Sequence, residues 1–169
     1  MNRTVVSSTP RRRIILERHY TAAVEDVWAL WTTKEGIESW WGPDGFFVTV
    51  HSIDLRPGGE LRYAMTAKAP EMVAFMKANH MPVTQELLIK YVEVVEHRRL
   101  RYLNWADFIP DVEPYNVETL VELHASADGG VRMVLTLEAM HDDMWTGRAV
   151  AGWESEIGRL GRVLEARKS

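Results

Sequence analysis

Two segments in the second half of the chain alternate between apolar and polar residues, which is typical of β-strands with one buried face. They are Tyr115–Ala125 and Val131–Ala139, and Asp128-Gly129-Gly130 between them predicts a hairpin turn. The predicted inward positions are Val117, Thr119, Val121, Leu123, Val131, Met133, Leu135 and Leu137. Because none of these side chains is ionisable, we expect a mostly apolar interior whose polar groups are mainly tyrosine hydroxyls.

Further strands are predicted by runs of β-branched and aromatic residues that turn-forming residues interrupt. These strands are Ile14–Tyr20, Phe46–Asp54, Glu60–Thr66, Gln85–Glu96 and Arg99–Phe108. The segment Arg56-Pro57-Gly58-Gly59 predicts a tight turn, since proline presets one backbone dihedral and glycine accepts a positive φ. The connections are short, which favours an antiparallel sheet.

Helical spacing replaces alternation after the first strand. Thr21 is a candidate N-cap for a helix whose apolar positions Val24, Val27, Trp28 and Trp31 recur every three or four residues. A second short helix is predicted over Lys34–Trp40. Gly42, Pro43 and Gly45 then end helical structure.

A long amphipathic helix is predicted at the C-terminal end, from Asp142 or Asp143 to Arg167. Its apolar stripe consists of Trp145, Ala149, Trp153, Ile157, Leu160 and Leu164. Gly152, Gly158 and Gly161 each cost about 1 kcal/mol relative to alanine inside a helix. Close approach of another backbone, or space kept for a ligand, would offset that cost.

Composition supports a single folded domain. The chain has 169 residues, of which 46% are hydrophobic and 26% charged. A net charge of −4 does not favour nucleic acid or anionic membranes as partners. The absence of cysteine excludes disulfides, thiolate nucleophiles and zinc sites that need sulfur. No apolar run suggests a signal peptide or a membrane span, so we expect a cytoplasmic protein.

Several motifs together resemble one known family. They are Val27-Trp28, Trp40-Trp41-Gly42-Pro43, Asp54-x-Arg56-Pro57-Gly58-Gly59, Glu93 followed by Glu96-His97-Arg98-Arg99-Leu100, and Gly152-Trp153. The set resembles the homologues of the C-terminal domain of the heat-shock-protein-90 ATPase activator, within the START-like, birch-pollen-allergen-like superfamily. The resemblance implies an α+β helix-grip fold, in which a curved antiparallel sheet of about seven strands wraps around the C-terminal helix and encloses an apolar pocket.

The domain organisation follows from the extent of this resemblance. Residues 1–12 are expected to form a flexible tail and residues 13–166 the helix-grip domain. The segment 67–83 is longer than the hairpin connection usual in the family, and Pro70 with Met72, Phe75 and Met76 predicts a short amphipathic helix. Methionine adapts to irregular apolar shapes, so this helix is either a lid over a cavity or ordinary packing.

The predicted ligand-binding residues combine inward strand positions, the helical stripe and the methionine-rich segment. They are Trp41, Tyr63, Met65, Phe75, Met76, Tyr102, Val121, Met133, Leu135, Trp153 and Ile157. Trp41 is predicted to form pocket wall, whereas Trp40 is predicted to be packed in the core. The polar groups of Tyr63, Tyr102 and Asn104 either orient a ligand or satisfy backbone groups.

Candidate groups for catalysis are few. His51, Glu93 and Tyr102 could act as a general acid or base, although an arginine such as Arg56 is an alternative partner for Glu93. The six histidines form no His-x-His or His-Glu-x-x-His motif, so no metal site is expected. No nucleotide-binding or nucleophile-elbow motif occurs, and no cofactor is expected.

Three functions are compatible with these patterns. The first is the binding or carriage of a small apolar or aromatic molecule by a monomer or homodimer. The second is catalysis similar to that of the polyketide cyclases and aromatases of the superfamily, which requires two convergent ionisable groups in the cavity. The third is a role as a chaperone partner, which only the family name suggests.

Overall fold

The computed structural model describes residues 3–7, 9–107 and 109–167. The elements in chain order are β1 Arg13–Tyr20, α1 Val24–Thr32, α2 Lys34–Trp40, β2 Phe46–Ile53, β3 Glu60–Ala67, α3 Pro70–Ala78, β4 Thr84–Val95, β5 Arg99–Ala106, β6 Tyr115–Ala125, β7 Val131–Glu138 and α4 Asp143–Arg167. The predicted fold class is therefore confirmed. The end that we predicted for the fifth strand, Phe108, lies outside the described residues.

The seven strands form one antiparallel sheet in the order β1-β7-β6-β5-β4-β3-β2. From β2 to β7 each strand pairs with the next one along the chain, and the first strand, β1, pairs with the last, β7. The hairpin register places Val121 opposite Leu135 and Leu123 opposite Met133. Because side chains alternate across a strand, this register directs the apolar positions of both strands towards the same face.

Helix α4 covers that face of the sheet. Its residues Ile157, Leu160 and Leu164 are buried and belong to the main hydrophobic cluster together with the inward side chains of the strands. The helix begins where predicted, because Asp142 Oδ1 accepts a hydrogen bond of 2.8 Å from the backbone N–H of Trp145. This bond satisfies one of the donors that a helix N-terminus leaves unpaired.

The start of α1 differs from the prediction. The N-cap position is Ala23, not Thr21, and no side chain caps the helix there. Glu25 and Asp26 in the first turn place negative charge near the positive end of the helix dipole, which supports the helix without a capping hydroxyl. Thr33 caps the following helix α2 instead, by accepting a hydrogen bond of 3.0 Å from the backbone N–H of Gly36.

Part of the N-terminal segment contacts a second, smaller hydrophobic cluster. This cluster contains Ala106, Ile109, Val112, Tyr115 and Met140, with Val6 packed against it. Thr4 forms a parallel bridge with Val112. The Arg11 guanidinium lies 4.8 Å from the centre of the Tyr115 ring and 3.0 Å from Glu138. Flexibility of residues 1–12 stays a prediction.

The glycines of α4 do not share one explanation. A Cβ at Gly161 would touch the Tyr20 ring at 3.5 Å, which is ordinary packing, whereas a Cβ at Gly152 would meet nothing within 4 Å. Neither close backbone approach nor ligand space therefore accounts for Gly152, which does not line the cavity described below.

Two glycine substitutions are expected to change stability in opposite directions. A Cβ at Gly59 would lie 2.0 Å from the carbonyl oxygen of Asp54, so Gly59→Ala should lower the free energy of unfolding by about 2 kcal/mol or more. Gly152→Ala should raise it by about 1 kcal/mol, because alanine favours the helix and meets no neighbour. Urea denaturation of both variants checks this, and a loss of stability in Gly152→Ala would contradict the explanation.

Candidate functional site

A cavity of about 330 Å³ lies between α4 and the sheet. Trp41, Tyr63, Met65, Tyr102 and Trp153, all predicted ligand-binding residues, are part of its wall. Trp40 is fully buried and donates from Nε1 to the Leu30 carbonyl at 2.7 Å instead. The cavity wall thus combines aromatic side chains from two strands, β3 and β5, from helix α4 and from the turn after α2.

The other half of the space under α4 is filled. Trp31 of α1 is completely buried, lies with its ring centre 6.0 Å from that of Trp153, and donates from Nε1 to Met133 Sδ at 3.3 Å. The predicted site residues in this filled half are Val121, Met133, Leu135 and Ile157, which belong to the solid core and do not line the cavity. They are buried in the main hydrophobic cluster, where Met133 contacts Trp31.

The methionine-rich segment does form the predicted helix, α3, but α3 does not line this cavity. Phe75 is 53% exposed, whereas Met76 is only 5% exposed. Met72 contacts the turn before β2, since a Cβ at Gly45 would lie 2.7 Å from Met72 Cγ. Of the two ligand-binding residues predicted in α3, Phe75 is therefore exposed to solvent and Met76 is packed inside the protein. The action of α3 as a lid stays a prediction.

Tyrosine hydroxyls are among the polar groups of the cavity wall, as predicted. Burial raises the pKa of Tyr63 and of Tyr102, so both hydroxyls stay neutral at physiological pH. Asn104 Nδ2 donates to Thr119 Oγ1 at 3.4 Å, and a hydrogen bond from Thr119 partly opposes the rise in the pKa of Tyr102. These groups can donate to or accept from a ligand without carrying charge.

Three glutamates line the cavity, Glu118, Glu138 and Glu156, which contradicts our expectation for the interior. Glu118 pairs with Arg101 at 3.8 Å and Glu138 pairs with Arg11 at 3.0 Å.

Glu156 belongs to α4. Its Oε1 accepts a hydrogen bond of 2.8 Å from the backbone N–H of Gly42. Burial raises the pKa of Glu156 to about 7, although the bond from Gly42 and the charge of Arg159 oppose the rise. This carboxyl group can therefore lose or gain a proton near neutral pH.

Glu156 and Arg159 also explain what the Trp-Trp-Gly-Pro motif does in the structure. Arg159 Nη1 donates to the carbonyl oxygens of Gly42 at 2.7 Å and Phe46 at 3.1 Å. Together with the bond from Gly42 to Glu156, these contacts fix the turn after α2 to α4. The turn then holds Trp41 against Tyr63, with ring centres 5.3 Å apart.

A sequence signal for Glu156 existed but was weak. The positions of α4 that line the cavity, Thr146, Ala149, Val150, Trp153 and Glu156, recur at spacings of one, three and four. A glutamate on an otherwise apolar or small helical face is such a signal. Glu156 was not among the predicted site residues because the stripe predicted for this helix contained only apolar positions, such as Trp153 and Ile157.

The catalytic candidates from the sequence lie elsewhere. His51 is exposed and its Nε2 lies 2.9 Å from Glu86 Oε2. Glu93 pairs with Arg99 at 3.1 Å, and Arg56 pairs with Asp54 rather than with Glu93. Neither His51 nor Glu93 lines the cavity. His51 is exposed and follows the buried Val50 along β2. A bulge between Tyr91 and Glu93 shifts the register, so Glu93 lies opposite Arg101 and not in phase with the buried Tyr91. Only Tyr102 of the three candidates is in the wall.

Among the described residues, no group of three or more histidine, cysteine, aspartate or glutamate side chains is arranged to hold a metal ion. None of the helices in the described ranges is long and apolar enough to cross a membrane.

Comparison with known proteins gives the same fold. The family model described as "Activator of Hsp90 ATPase homolog 1-like protein" matches residues 21–165. A protein from Chromobacterium violaceum shares 20% identity, with a TM-score of 0.70 over 91% of this chain and 98% of that one. An AHSA1-like protein from Aeromonas hydrophila shares 21%, with a TM-score of 0.71 over 93% and 94%. A search of curated proteins found no match.

Proposed function

The chain belongs to the activator of Hsp90 ATPase homolog 1-like family, and from this premise we propose that it binds and carries a small apolar or aromatic molecule inside its cavity. The observation that carries the proposal is the cavity itself, about 330 Å³ in volume and walled by aromatic side chains. Pockets for small molecules typically measure about 300 to 1,000 Å³ and combine apolar walls with a few polar groups. This cavity is at the small end, which suits a ligand of one or two rings.

The cavity wall offers apolar surface that a ligand can pack against. Its lining includes the rings of Trp41, Tyr63, Tyr102 and Trp153. Dispersion contacts are individually weak but add up over an aromatic surface. A bound apolar molecule would make such contacts along Trp41 and Trp153, which supports a binding role.

A panel of one-ring and two-ring aromatic compounds tests this proposal. We expect a ligand present at about 100 times its Kd to stabilise the protein by about 2.7 kcal/mol, which corresponds to a rise in Tm of about 5 to 10 °C. Tryptophan emission should change as well, because Trp41 and Trp153 line the cavity. If no compound changes the Tm or the tryptophan emission, the proposal that the protein carries such a molecule is wrong.

A matched pair of variants locates the binding. Ala149 lines the cavity, whereas Ala151 is exposed on the same helix. Phenylalanine at position 149 should occupy the cavity and abolish the ligand-induced rise in Tm. Ala151→Phe should leave the rise unchanged. Equal binding by both variants would place the ligand outside this cavity.

Catalysis similar to that of polyketide cyclases is the second candidate function, and Glu156 is the observation that favours it. A carboxyl group with a pKa near 7 can transfer protons at neutral pH, and the neutral hydroxyls of Tyr63 and Tyr102 could orient a carbonyl substrate. A linear poly-β-ketone analogue is the probe. If wild type yields a cyclised product and Glu156→Gln does not, the protein is an enzyme. If both proteins bind the analogue and neither converts it, the carrier function is favoured.

A further inference from the structure

One oxygen of the Glu156 carboxylate is available to a ligand. Oε1 is held by the backbone N–H of Gly42 at 2.8 Å. Across the described ranges of the chain, neither a hydrogen bond to Oε2 nor an ion pair at 4.0 Å or less is present for this carboxylate. Since Glu156 lines the cavity, a molecule bound there can approach this second oxygen.

The charged and titratable groups around Glu156 do not neutralise it by direct contact. Arg159, one turn further along α4, uses Nη1 for the carbonyl oxygens of the turn after α2, with a nearest distance of 2.7 Å. From the sheet, Tyr63 of β3 and Tyr102 of β5 face the carboxylate, and its charge helps to raise the pKa of both. Tyr91 of β4 lies beyond these two and is also a neutral phenol.

The surroundings of the carboxylate favour a cation. The rings of Trp41 and Tyr63 meet edge to face with centres 5.3 Å apart, and Tyr102 is tilted against Trp41 at 6.2 Å. Aromatic faces attract cations, most strongly where water is excluded. The cavity thus combines the Glu156 carboxylate, which has no ion pair within the described residues, with several aromatic rings, and none of its described lining residues is basic. Its two other carboxylates, Glu118 and Glu138, are paired with Arg101 and Arg11.

We propose that the cavity selects ligands that carry a protonated amine on an apolar body of one or two rings, with the ammonium group against Glu156 Oε2 and the body along the aromatic wall. This proposal rests on the proposed binding function and names the ligand class. An ammonium group supplies the hydrogen-bond donors and the positive charge that the buried carboxylate lacks. An alcohol of the same shape supplies one donor and no charge.

The preference for an amine depends on pH in a defined direction. An ammonium ion pairs with the ionised form of Glu156, so its affinity should rise as the pH increases through the pKa of about 7. The neutral alcohol lacks this charge pairing, so its affinity should not rise over the same range. The phenols that face Glu156 stay neutral over this range, because burial raises the pKa of Tyr63 and of Tyr102.

The experiment compares two amines with their isosteric alcohols by isothermal titration calorimetry. The probes are tryptamine with tryptophol, and 2-phenylethylamine with 2-phenylethanol, each at about pH 5.5 and about pH 8. The proteins are wild type, Glu156→Gln, and Glu154→Gln as the control, because Glu154 is exposed on the same helix. The glutamine at position 156 keeps an acceptor for the Gly42 N–H, so the turn should stay in place.

At about pH 8, wild type and Glu154→Gln should bind each amine at least about tenfold more tightly than its alcohol. Glu156→Gln should lose that preference and still bind the alcohols. If wild type binds alcohols and amines equally, the amine preference is wrong and the carrier function stands. If wild type binds none of the four probes while other aromatic compounds raise its Tm, the amine class is again wrong; if nothing binds, the carrier function itself fails.

Discussion

Glu156→Gln should raise the free energy of unfolding by up to about 3 kcal/mol at pH 8 and leave it nearly unchanged at pH 4. The carboxyl group has a pKa of about 7 in the folded protein and 4.5 as its ordinary value. Below pH 4.5 the group is protonated in both states, so its burial carries no charge penalty. Between these values only the folded state holds the proton, and stability falls by about 1.4 kcal/mol per pH unit.

Above pH 7 the folded protein buries a charged carboxylate, and the full penalty is present. Glutamine has the same shape and no charge, so the variant should show none of this pH dependence and should keep the hydrogen bond from Gly42. Urea denaturation from pH 4 to pH 8 measures the difference. Glu154→Gln, on the exposed side of α4, should follow the wild-type curve. Parallel curves for wild type and Glu156→Gln would show that the cavity does not raise this pKa.

Trp31→Ala should lower the free energy of unfolding by about 3 to 5 kcal/mol. Trp31 is completely buried, and its ring packs edge to face with Trp40 at 4.6 Å. It also contacts Trp153 and Met133, so its removal leaves a void between the filled half of the interior and the cavity. Rigid neighbours cannot collapse fully into such a void, and the lost contacts add to the lost hydrophobic transfer energy.

Trp105→Ala is the matched control, because Trp105 is 42% exposed. That substitution should cost much less than Trp31→Ala, since a partly exposed ring already retains part of its contact with water. Urea denaturation with an unchanged m-value separates a loss of stability from a change in the unfolded state. Comparable losses in the two variants would contradict the division of the interior into a filled half and a cavity.

Local pattern was sufficient to predict the elements of this fold. Alternation in β6 and helical spacing in α2 gave those two elements with the bounds that the structure has. The inward positions predicted for β7 were also correct, since Val131, Met133, Leu135 and Leu137 are all buried. These properties follow from backbone periodicity, which depends only on neighbouring residues.

The motifs identified the family from sequence alone. Trp41, Tyr63, Tyr102 and Trp153, which were predicted to bind a ligand, lie in the cavity wall. The local partners were less predictable. Thr21 precedes α1 as a capping residue would, yet Ala23 takes the N-cap position. Arg56 was a candidate partner of Glu93, but in the structure Arg56 pairs with Asp54, which lies two residues before it in the chain. Such choices depend on turn geometry rather than on residue type.

By itself, the sequence determined the order and type of the strands and helices and which side chains of β6 and β7 face the interior. Only the tertiary structure decided which inward side chains meet a cavity and which meet other side chains, because that depends on where Trp31 comes to lie. The same is true of Glu156: its charge is costly because the sheet, α4 and the turn at Gly42 remove water from around it. Sequence periodicity fixes the direction in which each side chain points, whereas the volume of the cavity and the dielectric environment of Glu156 arise only when distant segments pack together.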